Sequence, residues 1–315
     1  MRIGVVDIGT NSTRLLIADV APGGAVSELD RRTTVTRLGH RVDHTGVLAD
    51  DAMQRVFATL TGYRAAIDAA HVDATTAVLT SAVRDAGNGA AFTDLVRDRF
   101  GLDARTITGD EEARLTFRGA TDDQPGDGRR LLVVDIGGGS TEFVTGTAGP
   151  EGTVGFHVST RLGVVRQTER FLRGDPPAPH ELQALAAEAG EIIAAAVPAG
   201  ERDGVDAGLA VAGTPTSCAA ILQELEPYDP ARVHGFRLLR AQCEMLLARL
   251  AALTDAQRRE VPGLHPDRAP TIVAGVAVLI EAMRAFGLDE IEVSEHDILR
   301  GAALDRAARG GTGEG

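Results

Sequence analysis

Hydrophobic and polar positions alternate along the chain in a way that predicts strands and helices in a repeating order. In the first 125 residues, short apolar runs typical of buried strands alternate with stretches of helical periodicity. The predicted strands cover residues 3–6, 13–20, 25–30, 74–79 and 104–107, and the predicted helices cover residues 50–70, 89–100 and 110–120. Strands therefore lead and helices follow, which indicates an α/β fold.

A similar order restarts after the segment TDDQPGDGRR, which is polar and rich in Pro, Gly and Asp. The predicted strands here cover residues 131–134, 141–145, 153–160, 209–212 and 291–293, and the predicted helices cover residues 180–197, 231–252 and 266–285. We therefore expect a boundary near Gly126. The first domain is predicted at 1–125, a larger second domain at 126–309 with its last helix able to pack back on the first, and a disordered tail at 310–315.

One motif occurs in both halves, as VVDIGTNST at residues 5–13 and VVDIGGGST at residues 133–141. In each copy a buried strand ends at Asp7 or Asp135, and glycine then allows a sharp turn and the close approach of a ligand. The N–H and hydroxyl groups of such a turn suit phosphate oxygens, and the aspartate suits Mg²⁺. One copy alone is equally consistent with a hairpin turn. Two near-identical copies favour a polyphosphate and its metal held in an interdomain cleft.

A third glycine turn follows the predicted strand at residues 209–212, in the sequence LAVAGTPTS. Gly213 and Thr214 then lead directly into a helical sequence. Such a segment is typical of a phosphate-binding loop or of a well-capped helix start, and taken alone it favours the cap. The sequence leaves both interpretations open.

Composition excludes several classes of protein. The net charge of −13 and the 3% aromatic content argue against binding to nucleic acid or to an anionic membrane. The chain has no lysine, so a P-loop lysine and a Schiff-base lysine are both excluded. Its two cysteines, Cys218 and Cys243, lie in no metal-ligand spacing, and no signal peptide or membrane span is recognisable. We therefore expect a reduced, cytoplasmic protein.

Six segments carry a resemblance to a known family: DIGTNSTRLLIAD, TSAVRDAGN, TGDEEARLTFRGA, DIGGGSTE, AGTPTS and PGLHPDRAPTIVAG. Together the sequence resembles the exopolyphosphatase and guanosine-pentaphosphate phosphohydrolase family, within the actin, sugar-kinase and heat-shock ATPase superfamily. The resemblance implies two ribonuclease-H-like domains, dependence on Mg²⁺ or Mn²⁺, and a homodimer. It also implies release of terminal phosphate from inorganic polyphosphate or guanosine pentaphosphate. Because the chain lacks the extra C-terminal domains of long family members, short polyphosphate is the expected polymer.

The acidic pair at residues 111 and 112 is the predicted source of the catalytic base. Thr108 and Glu111 fit a capping box, which makes Glu111 structural. Glu112 points about 100° away around the helix, and the family's catalytic glutamate falls at the same position. The alternative is that both acids only complement the helix dipole.

The remaining site residues are predicted by type and by motif. The predicted metal ligands are the carboxylates of Asp7, Asp135 and Glu142. The predicted phosphate-binding residues are Thr10, Asn11, Ser12, Thr13, Arg14, Arg84, Gly137, Gly138, Gly139, Ser140, Thr141, Gly213, Thr214 and Arg268. Arg268 matches an arginine that the family uses near bound guanosine phosphates.

Departures from the family pattern leave the substrate open. The sequence reads HPDRAP where Arg-Ala-Asp is expected, and SEHDILRGA replaces a glycine-containing segment. His296 and Asp297 in the latter form either a pH-sensitive pair or a hydrogen bond between the domains. The alternative functions are a small-molecule kinase of the same superfamily, a non-catalytic sensor of guanosine tetraphosphate or polyphosphate, and an actin-type polymerising protein.

Overall fold

A computed structural model of the chain describes residues 1–149 and 153–311, the last two by their backbone only. These residues form two compact units. The first unit comprises Met1–Gly119 and the chain from Asp297 onward, and the second comprises Ala120–His296. None of the helices in the described ranges has the length and apolar character needed to span a membrane.

The first part of the chain supplies one β-sheet and the helices around it. Its strands are β1 (Arg2–Ile8), β2 (Ser12–Val20), β3 (Val26–Val35), β4 (Ala74–Leu79) and β5 (Ala104–Thr106). Its helices are α1 (Val42–Thr45), α2 (Asp50–Ala69), α3 (Ser81–Asp85), α4 (Gly89–Phe100) and α5 (Gly109–Ala120). The strand order is β3-β2-β1-β4-β5, with β1 antiparallel to β2 and parallel to β4.

The second part of the chain supplies the other sheet. Its strands are β6 (Arg130–Ile136), β7 (Thr141–Thr147), β8 (Val154–Thr160), β9 (Ala207–Val211), β10 (Arg237–Leu239) and β11 (Glu290–Val293). Its helices are α6 (Val164–Phe171), α7 (Pro179–Ala196), α8 (Ala199–Arg202), α9 (Gly213–Leu222), α10 (Pro230–Val233), α11 (Arg240–Ala251), α12 (Asp255–Arg258) and α13 (Ile272–Ala285), with a 3-10 turn at Pro266–Arg268. Helix α14 (Ile298–Gly311) follows and belongs to the first unit.

The two sheets share one topology, which explains the repeated motif. The second sheet has the order β10-β11-β9-β6-β7-β8, with β6 antiparallel to β7 and parallel to β9. Strands β6, β7, β8 and β9 therefore repeat the arrangement of β1, β2, β3 and β4. The two copies of the motif occupy the same turn, between the first and second strand of each sheet. The predicted α/β class is confirmed, whereas the predicted cleft stays a prediction.

The central strand β1 is buried because helices cover both of its faces. Val6 and Ile8 pack with residues of α2 and α4 on one face. Ile3 and Val5 pack with residues of α14 on the other face. In the second unit, α13 is buried along nearly its whole length and packs against α7 and α11. These apolar layers fix the ends of β1 and β6, where the turns of the repeated motif begin.

Two predicted helices are wrong in their extent. The predicted helix at 231–252 is divided into α10, β10 and α11, because residues 237–239 pair with β11. The predicted helix at 266–285 is divided into a 3-10 turn and α13. Pro270 lies between them, and its missing N–H group cannot continue a helical hydrogen-bond ladder. The pattern also missed α6, and β3 continues to Val35 rather than ending at residue 30.

The division into units differs from the predicted domains 1–125 and 126–309. Helix α14 packs on β1, β2 and β4, so the chain from Asp297 joins the first unit. The second unit begins at Ala120. Of the predicted tail at 310–315, residues 310 and 311 end α14, and residues 312–315 lie outside the described residues.

Helices α5 and α14 cross with their backbones in contact at two glycines. A Cβ atom at Gly119 would lie 1.9 Å from the carbonyl oxygen of Asp297. A Cβ atom at Gly301 would lie 1.8 Å from the carbonyl oxygen of Leu115. Both obstacles are backbone atoms, which no side-chain rotation can move. The crossing therefore requires glycine at both positions, and it fixes α5 against the start of α14.

We expect Gly301→Ala to lower the free energy of unfolding by about 1–3 kcal/mol, because the methyl group forces the two helices apart. The control is Gly62→Ala on the exposed face of α2, where a Cβ atom meets nothing within 4 Å. That change is expected to raise the free energy of unfolding by roughly 0.5–1 kcal/mol. Urea unfolding followed by circular dichroism measures both, and a neutral Gly301→Ala would contradict the close crossing.

Candidate active site

The turn at residues 9–12, called here the first glycine turn, has its carbonyl groups bonded from inside the first unit. The Gly9 N–H donates to the Ser12 carbonyl oxygen at 2.9 Å. The Thr10 carbonyl accepts the Gly39 N–H at 2.8 Å, and the Asn11 carbonyl accepts two N–H groups from residues 36 and 37. A trans peptide directs its C=O and N–H groups oppositely. The N–H groups of Asn11 and Ser12 therefore point away from the segment that holds the turn.

The turn at residues 137–140, the second glycine turn, is held in the same way by the start of α6. The Gly137 N–H donates to the Ser140 carbonyl at 3.0 Å. The Gly137 and Gly138 carbonyls accept N–H groups from Val164 and Val165 at 3.0 and 2.8 Å, and the Gly139 carbonyl accepts from the Arg166 side chain. The N–H groups of residues 138–140 thus face away from α6. Within residues 1–149 and 153–311, none of these three groups donates a hydrogen bond to another protein atom.

Gly163 allows this second turn to lie against the start of α6. A Cβ atom there would lie 2.2 Å from the carbonyl carbon of Gly139 and 2.4 Å from the carbonyl oxygen of Gly138. Both are backbone atoms of the turn itself. Gly163 was not predicted as a site residue, and only a sequence signal for the close approach of two backbones could have found it.

Three of the hydroxyl groups that were predicted to bind phosphate form hydrogen bonds with other protein groups. Thr13 is fully buried and its hydroxyl bonds with that of Thr36 at 3.0 Å. Thr141, at the equivalent place in the second copy, is also fully buried and donates to the Leu162 carbonyl. The Thr10 hydroxyl pairs with that of Ser81 at 2.9 Å. These three hydroxyl groups hold the strand ends and turns in place, and their predicted contact with phosphate stays a prediction.

Asp7 ends β1 as a buried carboxylate with one oxygen bonded and the other unpartnered. Its Oδ2 accepts from Arg14 Nε at 2.8 Å, across the β1–β2 ladder. Its Oδ1 is buried without a hydrogen-bond partner among the described residues. Burial raises the pKa of Asp7 above its ordinary value, against the opposing effect of the Arg14 charge. A buried, unpartnered carboxylate oxygen is the donor that a hard divalent cation takes.

Asp135 and Glu142 form the corresponding pair in the second unit. They are opposite each other on β6 and β7, and both are buried. Glu142 Oε1 accepts the Ser159 hydroxyl at 2.7 Å. Carboxylate oxygens are ligands that Mg²⁺ and Mn²⁺ take. The pair Asp135 and Glu142 within the second unit, and Asp7 within the first, therefore each fit a divalent ion in the chemistry of their side chains.

Glu111 and Glu112 have different surroundings on α5. The Glu111 N–H donates to the Thr108 hydroxyl at 3.1 Å, which is the predicted cap. The Glu111 carboxylate, however, pairs with Arg105 instead of returning to the backbone, so the capping box is only half formed. Glu112 is buried and accepts from Arg84 Nη1 at 3.0 Å. Arg84 also bonds the Ile107 carbonyl at 3.0 Å, which fixes the direction of its guanidinium.

The third turn brings Gly213 and Arg268 together within the second unit. A Cβ atom at Gly213 would overlap the Arg268 guanidinium, at 1.1 Å from its Nη1. Thr214 is buried on the first turn of α9. Ala212, just before the helix, has φ 71° and ψ −167°, a strained conformation for a residue with a side chain. Such strain is concentrated at functional sites, and here it immediately precedes Gly213, which lies against the Arg268 guanidinium.

Asp123, His234 and His296 form a separate polar cluster in the second unit. Asp123 Oδ2 lies 3.1 Å from His234 Nε2 and 3.3 Å from His296 Nδ1. Ligand-type atoms of the three residues lie within 4.8 Å of one another, as in a metal site. However, His234 Nδ1 accepts the Glu295 N–H at 3.2 Å, which places the proton of the neutral ring on Nε2, facing Asp123. The contacts favour a hydrogen-bonded network. Asp297 contacts Arg14 instead, so His296 and Asp297 do not pair.

This network predicts a pH-dependent contribution to stability. Its hydrogen bond with Asp123 raises the pKa of His234, and contacts with both histidines lower the pKa of Asp123 in spite of its burial. The contribution of protonated His234 to the free energy of unfolding is fully present below the ordinary histidine pKa of about 6.5. It is lost as pH rises through the raised pKa of His234 in the folded protein. The aspartate contribution is lost as pH falls below about 4. The pair is therefore strongest between these limits.

We expect His234→Gln to lower the free energy of unfolding more at pH 5.5 than at pH 8.5, by roughly 0.5–1 kcal/mol. Urea unfolding at both pH values measures this difference. His180→Gln, on the exposed start of α7, is the control and should show the same small effect at both pH values. Equal losses for His234→Gln at the two pH values would show that the ion pair does not form.

Comparison with known proteins then identifies the family. The model of the Ppx/GppA phosphatase family matches residues 5–308. Exopolyphosphatase 2 of Mycobacterium tuberculosis is 38% identical over 318 residues, covering 97% of this chain and 98% of that protein. Exopolyphosphatase 1 of Mycobacterium bovis is 31% identical over 312 residues, covering 96% of this chain and 88% of that protein.

Solved structures give the same result. The crystal structure of an exopolyphosphatase from Cytophaga hutchinsonii is 27% identical, covers 97% of this chain and 98% of that chain, and has a TM-score of 0.86. The Aquifex aeolicus member of the Ppx/GppA family is 29% identical, with 98% of both chains covered and a TM-score of 0.82. The fold is therefore that of a two-domain phosphatase of the actin-like type. The chain belongs to the Ppx/GppA phosphatase family, as its motifs predict.

Proposed function

We propose that the protein is a phosphohydrolase, dependent on a divalent metal, that releases terminal orthophosphate from short inorganic polyphosphate or from guanosine pentaphosphate. The observation that carries the proposal occurs in both units. In each, a turn whose N–H groups point away from its own support adjoins a buried carboxylate at the end of a central strand. The names of the relatives, which are exopolyphosphatases, support the same class of substrate.

In the proposed reaction, the N–H groups of the two glycine turns bind phosphate oxygens. Such groups are fixed before the substrate arrives, so they stabilise charge without further ordering. Asp7, Asp135 and Glu142 are the residues that would hold the divalent ion. When bound, the ion neutralises phosphate charge. Arg268, with Gly213 and Thr214, is proposed as a further contact to phosphate groups of the substrate.

Glu112 is the proposed general base. Its carboxylate accepts a proton from water as the water oxygen forms a bond to the terminal phosphorus atom, and the bond from phosphorus to the bridging oxygen breaks. The products are orthophosphate and a chain shortened by one phosphate. Arg84 fixes the orientation of the Glu112 carboxylate by its hydrogen bond, because it is itself anchored to the Ile107 carbonyl.

We expect Glu112→Gln to lower kcat by at least about 100-fold, because the amide cannot accept the proton. Glu111→Gln, the adjacent and matched change, should lower kcat by less than about threefold, because the Glu111 carboxylate pairs with Arg105 and Arg309, partly exposed side chains outside the proposed reaction. Orthophosphate release is measured with Mg²⁺ and with Mn²⁺, from short polyphosphate, long polyphosphate and guanosine pentaphosphate.

Equal losses in the two variants would contradict the role of Glu112. No release by the wild-type protein from any of the three substrates would overturn the proposed function. Consumption of ATP that depends on an added acceptor would indicate the kinase instead.

We also expect Gly163→Ala to lower kcat/KM by at least about tenfold, because the methyl group displaces the backbone of the second glycine turn. The control is Gly155→Ala on β8, where a Cβ atom would lie 3.5 Å from the Thr145 carbonyl oxygen, an ordinary contact. Wild-type kinetics in Gly163→Ala would show that the position of this turn does not matter for turnover.

A further inference from the structure

The side chain of Arg14 lies between two buried carboxylates within the first unit. Its Nε and Nη2 atoms lie 2.8 and 2.7 Å from Asp7 Oδ2, and its Nη1 atom contacts Asp297 Oδ2. The side chains of Asp7 and Asp297 are 4% and 5% exposed, and that of Arg14 is 15% exposed. A guanidinium offers separate N–H donors at a fixed geometry, so it can bond both acids at once.

Comparison of the two copies of the repeated motif shows what is unusual about the contact of Arg14 with Asp7 and Asp297. Arg14 faces Asp7 across the β1–β2 ladder, and Glu142 faces Asp135 at the equivalent place on β6 and β7. The second copy therefore has two acids at a position where the first copy has an acid and a base. In the first copy the second carboxylate comes from Asp297, at the far end of the chain. Each copy thus has two buried carboxylates near the end of its central strand. In the second copy both come from neighbouring strands, whereas in the first copy one of them, Asp297, comes from a distant part of the sequence.

Charge explains why the second carboxylate matters. Asp7 and Arg14 alone sum to zero, and a neutralised aspartate attracts a divalent cation weakly. With Asp297 the three groups carry a net charge of −1. Although burial acts to raise it, the charges of Arg14 and Arg31 lower the pKa of Asp297, so the carboxylate stays ionised. The charge of Arg31, 3.8 Å from Asp297, is itself countered by Glu28 at 2.7 Å.

We infer that Asp297 is a positioning residue, which binds Arg14 and thereby keeps Asp7 able to hold the divalent cation. The inference rests on the proposed function for the role of the cation. The negative charge of Asp297 offsets part of the positive charge that Arg14 places beside Asp7. The buried Oδ1 of Asp7 remains without a hydrogen-bond partner among the described residues. No motif in the sequence assigns this role to Asp297.

A purely structural role is the competing explanation, because Asp297 Oδ1 also accepts the Leu299 N–H at 3.0 Å at the start of α14. Asparagine caps a helix about as well as aspartate does, so Asp297→Asn can keep the bond from the Leu299 N–H while it removes the charge and the oxygen that accepts from Arg14. This property makes asparagine the informative substitution.

The test measures Mn²⁺ affinity directly, by electron paramagnetic resonance on the protein without substrate. We expect Asp297→Asn to weaken Mn²⁺ binding roughly tenfold, and to raise the Mn²⁺ concentration for half-maximal activity by a similar factor, while KM for polyphosphate changes less than about threefold. Asp297→Glu, which keeps the charge, should restore most of the affinity. Glu28→Gln is the matched control and should bind Mn²⁺ within about twofold of wild type.

A second background tests whether Asp297 acts through Arg14. In Arg14→Gln, where no guanidinium neutralises Asp7, the further change Asp297→Asn should alter Mn²⁺ affinity less than about twofold. If Asp297→Asn alone does not fold, as judged by thermal unfolding without metal, the Mn²⁺ affinity of Arg14→Gln is measured instead. This variant should bind Mn²⁺ at least as tightly as wild type, and clearly weaker binding would overturn the inference.

Two results would overturn the inference. One is wild-type Mn²⁺ affinity in Asp297→Asn, and the other is an equal loss in Asp297→Asn and Asp297→Glu, which would make the role structural. Both are read without turnover. Missing orthophosphate release, with the Mn²⁺ shifts intact, would therefore overturn the proposed function and leave the contact of Asp297 with Arg14 and its effect on Asp7 in place.

Discussion

The hydrogen bonds that hold the carbonyl groups of the two glycine turns are the constraint on which the rest of the site depends. A turn in water bonds its N–H and C=O groups to solvent in many arrangements. Here residues 36–39 in the first unit and the start of α6 in the second bond the carbonyl groups of the turns. The N–H group of each of these peptides is therefore held in a fixed direction, away from the segment that bonds its carbonyl. Preorganised donors of this kind bind an anion without paying again for their ordering.

This arrangement needs support from parts of the chain that are distant in sequence. Helix α14 crosses α5 at Gly119 and Gly301 with backbone contact, and the same segment supplies Asp297 to Arg14. The crossing thus links the helix that carries Glu112 to the strand end that carries Asp7. Both contacts lie in the first unit, which is formed by the two ends of the described chain.

Much of the fold could be predicted because its signals are local. Apolar runs at β1 and β6, the repeated motif and the helical periodicity of α2 all lie within short windows of sequence. Helix geometry predicts that Glu111 and Glu112 point in different directions, but it does not predict their partners, Arg105 and Arg84. The Asp297 contact, the role of Gly163 and strand β10 were not, because each depends on a partner far along the chain. Only the unusual segment SEHDILRGA marked one of these places.

The facing pairs Asp7–Arg14 and Asp135–Glu142 show that the two copies of the motif carry opposite charges at one equivalent position. The two halves share a strand topology, but their side chains at this position are not interchangeable. A role found in one half therefore cannot be transferred to the other from the shared topology of strands and turns alone. In this chain, symmetry of architecture coexists with asymmetry of chemistry.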